Sequence, residues 1–169
     1  KKYRIRITRL YVDETFVYTV CLFDETDLIE LRIQKEDSKL VVGLMYMDNY
    51  DEAMESVEEV RHSILEALID RKINQYINGF NGIVKKLEKD KFFFIIKKEN
   101  LDSAIEVRFD ILEDVKSVNI GNEMSITLSI GIGYGSENLA RNYELARMAM
   151  DMALGRGGDQ AVVKTEDDI

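Results

Sequence analysis

The sequence predicts an α+β fold in which a ferredoxin-like β-α-β-β-α-β core follows a β-hairpin and a linker helix. Three observations predict it. Apolar and polar side chains alternate near the start of the chain, which is typical of half-buried strands. A continuous apolar run at 40–47 is typical of a strand buried on both faces. From residue 40 onward, strand-like and helix-like segments follow in the order β-α-β-β-α-β-α-β.

The first 39 residues contain the hairpin and the linker. Residues 3–12 and 15–23 each alternate with a period of two, and Asp13-Glu14 forms the turn between them. Two strands cannot bury a core alone, so we expect the hairpin at 1–24 to pair with a sheet upstream. Residues 25–39 are polar with sparse apolar positions, which predicts a linker helix. The chain begins without Met in strand-like sequence, as expected for a piece of a longer protein.

The rest of the chain continues the α+β order. After the strand at 40–47, apolar residues at spacings of three and four predict one long helix over 52–77. Asn78-Gly79 ends that helix. The remaining predicted elements are a hairpin of strands 82–87 and 92–96, a helix at 101–118, a strand at 125–133, a helix at 139–154 capped by Gly155, and a short strand at 161–164.

Composition excludes some partners. Lys and Arg number 23 against 32 Asp and Glu, a net charge of −9, which repels phosphate backbones and predicts no nucleic-acid partner. No apolar run approaches the roughly 18 residues that a membrane-spanning helix needs, so we expect this stretch to be soluble. Cys21 is the single cysteine and has no partner for an internal disulfide. We expect it to be a packed core thiol.

Four short stretches resemble the motifs of the GGDEF and class III cyclase palm. They are Tyr46–Asp51 for Asp-x-Asp-x-Phe-Lys at a strand end, Glu88–Phe92 for the Gly-Gly-Asp-Glu-Phe turn, Ser129–Gly131 for Ser-Ile-Gly, and Gly155-Arg156 after the last helix. The element order of that palm is also the order predicted here. The resemblance therefore implies a GGDEF-type palm for residues 40–169.

The residues that carry cyclase chemistry are replaced. The resemblance places metal-binding acids at Tyr46 and Lys91, the glycine pair at Glu88-Lys89, and a guanine-reading Asn at Met54. At about 4 Å and an effective dielectric of about 20, a lysine charge and a divalent ion repel by roughly 8 kcal/mol before screening. The resemblance thus implies a degenerate domain with no catalytic residue of its own and no diguanylate cyclase activity.

Among degenerate GGDEF domains, this one most resembles those of the GdpP/YybT-type cyclic-di-AMP phosphodiesterases of Gram-positive bacteria. Residues 47–52, 89–91 and 153–163 carry that similarity, and the last stretch is the most specific. The resemblance implies that 1–24 is the C-terminal hairpin of a PAS domain, 25–39 a linker helix and 40–169 the degenerate domain.

The same resemblance implies a membrane-anchored, homodimeric parent with this stretch on the cytoplasmic side. It also implies a downstream DHH/DHHA1 hydrolase that uses manganese. The DHH motifs are absent from these residues, so we do not expect them to hydrolyse cyclic di-AMP. We expect instead a regulatory module that adjusts the hydrolase, with a weak ATPase or nucleotide-binding module as the alternative.

Three polar residues remain as candidate ligands. Asp48 and Asp90 would hold one magnesium ion, and together with Asn49 they would bind an adenine nucleotide such as ATP. In the alternative interpretation, Asp48 and Asn49 cap the following helix and Asp90 is a turn residue. Likewise, the glycine-rich stretch 155–159 either cradles phosphate or forms a helix C-cap followed by a turn.

Overall fold

The chain divides into two units between Ser38 and Lys39, and the computed structural model describes residues 1–168. The end of the predicted domain 40–169, Ile169, lies outside the described residues. Within residues 1–168, no helix combines the length and the apolar character that crossing a membrane requires.

The first unit is the predicted hairpin followed by a helix. Strands β1 (Tyr3–Val12) and β2 (Thr15–Asp24) pair antiparallel, and Val12 lies opposite Thr15. Asp13 and Glu14 have φ of 48° and 59°, the left-handed conformation that tight two-residue hairpin loops require. Helix α1 (Thr26–Asp37) begins where the Asp24 carboxylate accepts hydrogen bonds from the backbone N–H and the hydroxyl of Thr26.

One face of the hairpin is apolar and exposed. Its side chains are 51–65% exposed and comprise Tyr3, Ile5, Ile7, Tyr11, Phe16, Tyr18, Val20 and Leu22. Cys21 points to the opposite face and is also exposed. The prediction of a packed thiol is therefore wrong for this structure, because the unit contains no second layer to cover either face of its two strands.

The second unit contains five strands and five α-helices among its described residues. They are β3 (Leu40–Met47), α2 (Tyr50–Glu55), α3 (Glu59–Gly79), β4 (Ile83–Lys86), β5 (Lys91–Lys97), α4 (Lys98–Glu106), α5 (Ile111–Lys116), β6 (Leu128–Tyr134), α6 (Leu139–Gly155) and β7 (Ala161–Thr165). The strand order is β4-β5-β3-β6-β7, with β6–β7 the parallel pair and the others antiparallel. The predicted α+β fold with a ferredoxin-like core is confirmed, and β7 extends it at one edge.

Two predicted helices are each interrupted. The helix predicted at 52–77 breaks after α2, where Val57 is buried and the chain then restarts as α3. The helix predicted at 101–118 breaks between α4 and α5, where Arg108 and Phe109 have φ of 54° and 52°. The apolar spacing continues across both breaks because the residues on either side pack into the same core, so periodicity alone does not reveal them.

The core lies on both faces of β3, as its apolar run predicted. Val41, Met45 and Met47 pack on the side of α3, whose buried residues are Leu65, Ile69, Ile73 and Ile77. On the other face, Val42 and Leu44 pack with Ala146 and Met150 of α6. The central strand is therefore held between two helical layers, and its two ends are fixed in space.

Candidate functional site

The candidate residues lie at one edge of the sheet. The backbone N–H of Met47 donates to the carbonyl of Asp90 at 2.9 Å, and the N–H of Asp48 donates to the carbonyl of Thr127 at 3.0 Å. These two bonds place the end of β3 between the β4–β5 turn and the loop that leads into β6. This is the edge at which the motif resemblance located the site.

The two positions where the motif resemblance expects metal-binding acids face each other. Tyr46 and Lys91 are direct partners in the β3–β5 register, and the Lys91 Nζ lies 5.6 Å from the Tyr46 ring centroid. Burial raises the pKa of the Tyr46 hydroxyl, whereas the Lys91 charge partly opposes that rise. Lys91 also donates to the Glu88 carboxylate at 2.7 Å, which raises the pKa of Lys91 and keeps it charged. An ammonium–aromatic pair thus stands where the motif resemblance expects two carboxylates.

The Asp48 carboxylate is directed at the turn after α6. Its Oδ2 accepts hydrogen bonds from the Asp159 backbone N–H at 2.9 Å and from the Thr127 hydroxyl at 3.0 Å. Its Oδ1 is buried, with no hydrogen-bond partner among the described residues. A Cβ placed on Gly158 would lie 2.8 Å from the Asp48 Cγ, so the turn approaches the carboxylate as closely as glycine permits.

The Asn49 side chain forms hydrogen bonds with the backbone of the loop before β6. Its Oδ1 accepts from the Thr127 backbone N–H at 3.1 Å, and its Nδ2 donates to the Ser125 carbonyl at 2.9 Å. These bonds lie in the loop before β6, which begins at Leu128 rather than at the predicted residue 125. Asn49 occupies the N-cap position of α2 without a side-chain cap bond. The side-chain capping interpretation of Asp48 and Asn49 is therefore wrong.

Asp90 has different neighbours from Asp48. It lines a cavity of about 400 Å³ together with Tyr50, Asp51, Glu88 and Lys89. Asp48 does not line this cavity. The predicted magnesium pair of Asp48 and Asp90 consequently stays a prediction, with one carboxylate facing the α6 turn and the other facing the cavity. In the part of the chain that the structure describes, no group of three or more His, Cys, Asp or Glu is arranged to hold a metal ion.

A second cleft shares residues with that cavity. Its volume is about 600 Å³, and it shares Tyr50, Asp51 and Lys89. The remaining lining residues are Met54, Glu55, Glu59, His62, Ser63 and Glu66. The Tyr50 hydroxyl donates to the Glu66 carboxylate, and burial together with that bond raises the Tyr50 pKa. The lining is mainly acidic, so a polyphosphate would need a bound cation to enter.

The glycine-rich stretch closes helix α6. The N–H groups of Gly157 and Gly158 donate to the carbonyls of Leu154 and Ala153 at 2.9 and 3.0 Å. Gly155 is the last helical residue, and the left-handed conformations lie further on, at Gly157 and Gly158 with φ of 103° and 77°. This confirms the interpretation as a helix C-cap followed by a turn and corrects the capping residue from Gly155. The turn amides are occupied by protein acceptors.

Two contacts of Asp159 were not predicted. Its backbone N–H reaches Asp48, and its carboxylate accepts from the Lys116 Nζ at 2.6 Å. Lys116 also binds Glu113, and these hydrogen bonds raise its pKa. Sequence patterns could not predict these contacts, because both join segments that are distant in the sequence. The only local signal was that Asp159 is a polar residue following two glycines.

The sequence matches a family model described as "Cyclic-di-AMP phosphodiesterase GdpP-like, GGDEF domain" over residues 45–169. It is 34% identical over 142 residues to the cyclic-di-AMP phosphodiesterase GdpP of Geobacillus thermodenitrificans, which is 84% of this chain and 22% of that protein. It is 32% identical over 143 residues to the cyclic-di-AMP phosphodiesterase PdeA of Listeria monocytogenes, which is 85% of this chain and 22% of that protein. The chain therefore spans about a fifth of the length of these relatives.

The fold is also found among solved structures. The GGDEF domain of DgcB from Caulobacter crescentus, solved in complex with c-di-GMP, superposes with a TM-score of 0.64. The superposition covers 83% of this chain and 86% of that chain at 15% sequence identity. At that identity the likeness establishes the palm fold alone.

Proposed function

The chain belongs to the family of GdpP-like GGDEF domains, and from this premise we propose that it is the regulatory portion of a cyclic-di-AMP phosphodiesterase without diguanylate cyclase activity of its own. In this proposal the hydrolysis of cyclic di-AMP takes place in a downstream DHH/DHHA1 unit that uses manganese. The residues described here adjust the rate of that unit.

The contact between Lys91 and Tyr46 carries the proposal. Cyclic dinucleotide synthesis on this palm needs divalent ions held by carboxylates against a triphosphate. Here the two register partners are a phenol and an ammonium group, with the Nζ 5.6 Å from the ring centroid. Neither is a good magnesium ligand at neutral pH, and the ammonium group repels a cation. The Lys91–Tyr46 pair therefore favours a domain that keeps the palm fold but has lost the metal-dependent synthesis.

The first experiment is to incubate the purified 169-residue chain with GTP and magnesium and to assay the products by mass spectrometry. No cyclic di-GMP is expected. Its appearance at a rate above that of a heat-denatured sample would contradict the proposal.

The regulatory part is tested in the full-length phosphodiesterase. A version that lacks the residues corresponding to 40–168 is compared with the intact protein for cyclic-di-AMP turnover. Manganese content and substrate binding are measured in both versions as controls. We expect the turnover number to change while manganese content stays the same. Equal turnover would refute regulation by this domain.

A second candidate function is nucleotide binding with weak ATP hydrolysis. The cleft of about 600 Å³ favours it, because that volume lies in the usual range for small-molecule sites. Asp90 lies beside it, in the adjoining cavity. Magnesium-dependent ATP turnover that is lost in both Asp48→Ala and Asp90→Ala would support a shared metal ion. Phosphate release at the background rate in the unsubstituted chain would remove this candidate.

Three further proposals rest on the family resemblance. Residues 1–24 are the end of a PAS domain, the parent is a homodimer, and it is anchored with this stretch on the cytoplasmic side of the membrane. The exposed apolar face of the hairpin supports the first of these, since such a face is stable only when another layer covers it. Sedimentation of the full-length protein in detergent and protease accessibility in sealed vesicles test the other two.

A further inference from the structure

Strand β3 is attached to helix α6, and to the turn after it, at both of its ends. At the start of the strand, the Leu40 carbonyl accepts a hydrogen bond from the Asn142 Nδ2 of α6 at 3.4 Å. At its end, the Asp48 Oδ2 accepts from the Asp159 backbone N–H at 2.9 Å. Along the chain, the linker leads into Leu40, and β7 begins at Ala161, two residues after Asp159. The first bond therefore joins the start of β3 to α6, and the second joins the end of β3 to the turn that leads into the last strand of the sheet.

The first attachment is buried and has several bonds. Asn142 is 1% exposed, accepts from the Ser136 backbone N–H at 3.0 Å and donates to the Ser136 carbonyl at 3.0 Å. Nearby, α6 lies directly on the backbone of β6, because a Cβ on Gly133 would lie 2.1 Å from the Asn142 carbonyl oxygen. Helix α6 cannot slide along the sheet without breaking these contacts.

The second attachment is held from two sides. The Asp48 carboxylate contacts the turn from β3, and Lys116 of α5 binds the Asp159 carboxylate at 2.6 Å. Gly158 leaves no free space between the turn and Asp48. The backbone of Asp159 has φ of 54°, and in this left-handed conformation its N–H donates to the Asp48 carboxylate.

We propose that Asp48 and Asn142 are positioning residues that couple the linker helix to β7, so that a change where the chain enters the domain is transmitted to the strand that ends its sheet. This proposal rests on the regulatory function proposed above and names its route. β3 is the central strand of its sheet and is largely buried, so we expect a displacement at Leu40 to reach Asp48 at the other end of the strand. The Asp159 turn and β7 then follow through their hydrogen bond to Asp48.

Hydrogen exchange in the 169-residue chain tests the contact. Asp48→Ala should raise the exchange rate of the amides between Asp159 and Thr165 by at least about tenfold, because it removes a charge-assisted hydrogen bond. The amides of β4 and β5 should keep their rates. Asp90→Ala is the matched control, since it removes a carboxylate from the same sheet edge without contacting the Asp159 turn after α6. Unchanged exchange in β7 of Asp48→Ala would overturn the proposal.

Asp48→Asn keeps the side-chain volume and one acceptor oxygen. It replaces Asp48→Ala in this experiment if the alanine variant does not fold. It should give a smaller increase in exchange in the same amides. An increase as large in Asp90→Ala would also overturn the proposal, because the effect would then not pass through the turn.

Turnover of cyclic di-AMP by the full-length phosphodiesterase tests the coupling. Asp48→Ala should change the turnover number by at least about threefold with little change in KM, whereas Asp102→Ala, which removes an exposed carboxylate from α4, should leave both unchanged. If the deletion of 40–168 alters turnover and Asp48→Ala does not, the coupling route is wrong and the regulatory function stands. If neither alters turnover, the regulatory function itself fails.

Discussion

Lys91 and Tyr46 lie opposite each other across the β3–β5 ladder, with the lysine ammonium group 5.6 Å from the tyrosine ring centroid. Both side chains stand at positions where the motif resemblance expects acids. The pair has a measurable electrostatic signature, since burial raises the pKa of the tyrosine hydroxyl and the neighbouring positive charge opposes that rise.

Replacing Lys91 with Met should raise the pKa of Tyr46 further above its ordinary value. The positive charge favours the phenolate, and its removal leaves burial without its main opposing contribution. A tyrosine ring-carbon NMR titration of the chain measures the change. Lys85→Met, on the outer strand β4, is the control and should leave the Tyr46 titration where it is. A lower Tyr46 pKa in Lys91→Met would contradict the contact.

Replacing Gly158 with Ala should lower the free energy of unfolding by about 1–3 kcal/mol. The added Cβ would need a left-handed backbone conformation at φ of 77° and would meet the Asp48 carboxylate at 2.8 Å. Gly155→Ala is the matched control, because a Cβ added there would have no atom within 4 Å and the residue is helical. That variant should be neutral or more stable by up to about 1 kcal/mol. Urea unfolding measures both, and equal stability of the two variants would refute the close approach.

Replacing Asn142 with Ala should destabilise the protein by about 2–4 kcal/mol. It leaves the Ser136 amide and two carbonyls without their buried partner. Asn74→Ala is the control, since Asn74 is an exposed residue of α3 whose amide donates to the Asp70 carbonyl within the same helix. Its cost should be below about 0.5 kcal/mol. Thermal and urea unfolding of both variants check the difference.

Stability should fall in alkaline solution. Burial raises the pKa of Tyr76, and the nearby Asp110 carboxylate adds to the rise. The folded protein therefore keeps a proton that the unfolded chain loses above about pH 10, so the free energy of unfolding declines from that pH upward by as much as about 1.4 kcal/mol per pH unit for this residue. Below pH 10 its contribution is fully present.

The variant Tyr76→Phe separates this effect from packing. The Tyr76 hydroxyl is buried and has no hydrogen-bond partner among residues 1–168, so its removal should not lower stability at pH 7. It should also make the alkaline decline less steep. Tyr50→Phe provides the contrast, because it loses the bond to Glu66 and should be less stable at pH 7. An unchanged alkaline slope in Tyr76→Phe would contradict the raised pKa.

Local patterns predicted most of the fold. Strand β3 is a run of apolar residues, and α6 has regular apolar spacing, so both were found within one residue of their ends. The breaks after Glu55 and after Glu106 were missed. Val57 and Ile111 are buried beside them, so the apolar spacing continues where the helical hydrogen bonds stop.

The candidate site was predicted less well than the fold. Tyr46 and Lys91 could be located from the motif resemblance, and because they are register partners, both lie at the same place in the sheet. The contact of Asp48 with the turn after α6 could not be found in this way. Its partner Asp159 is 111 residues away in the chain, and only the folded sheet brings the α6 turn beside the end of β3.

The position of β3 in the sheet also determines when this domain can fold during synthesis. Val42 pairs with Ile95 on one side and with Gly133 on the other. While the ribosome is still making residues before β6, one edge of the central strand is open and its apolar face lacks the α6 layer. A nascent chain at that stage exposes an unpaired, hydrophobic strand edge, which favours aggregation until the last third of the domain emerges.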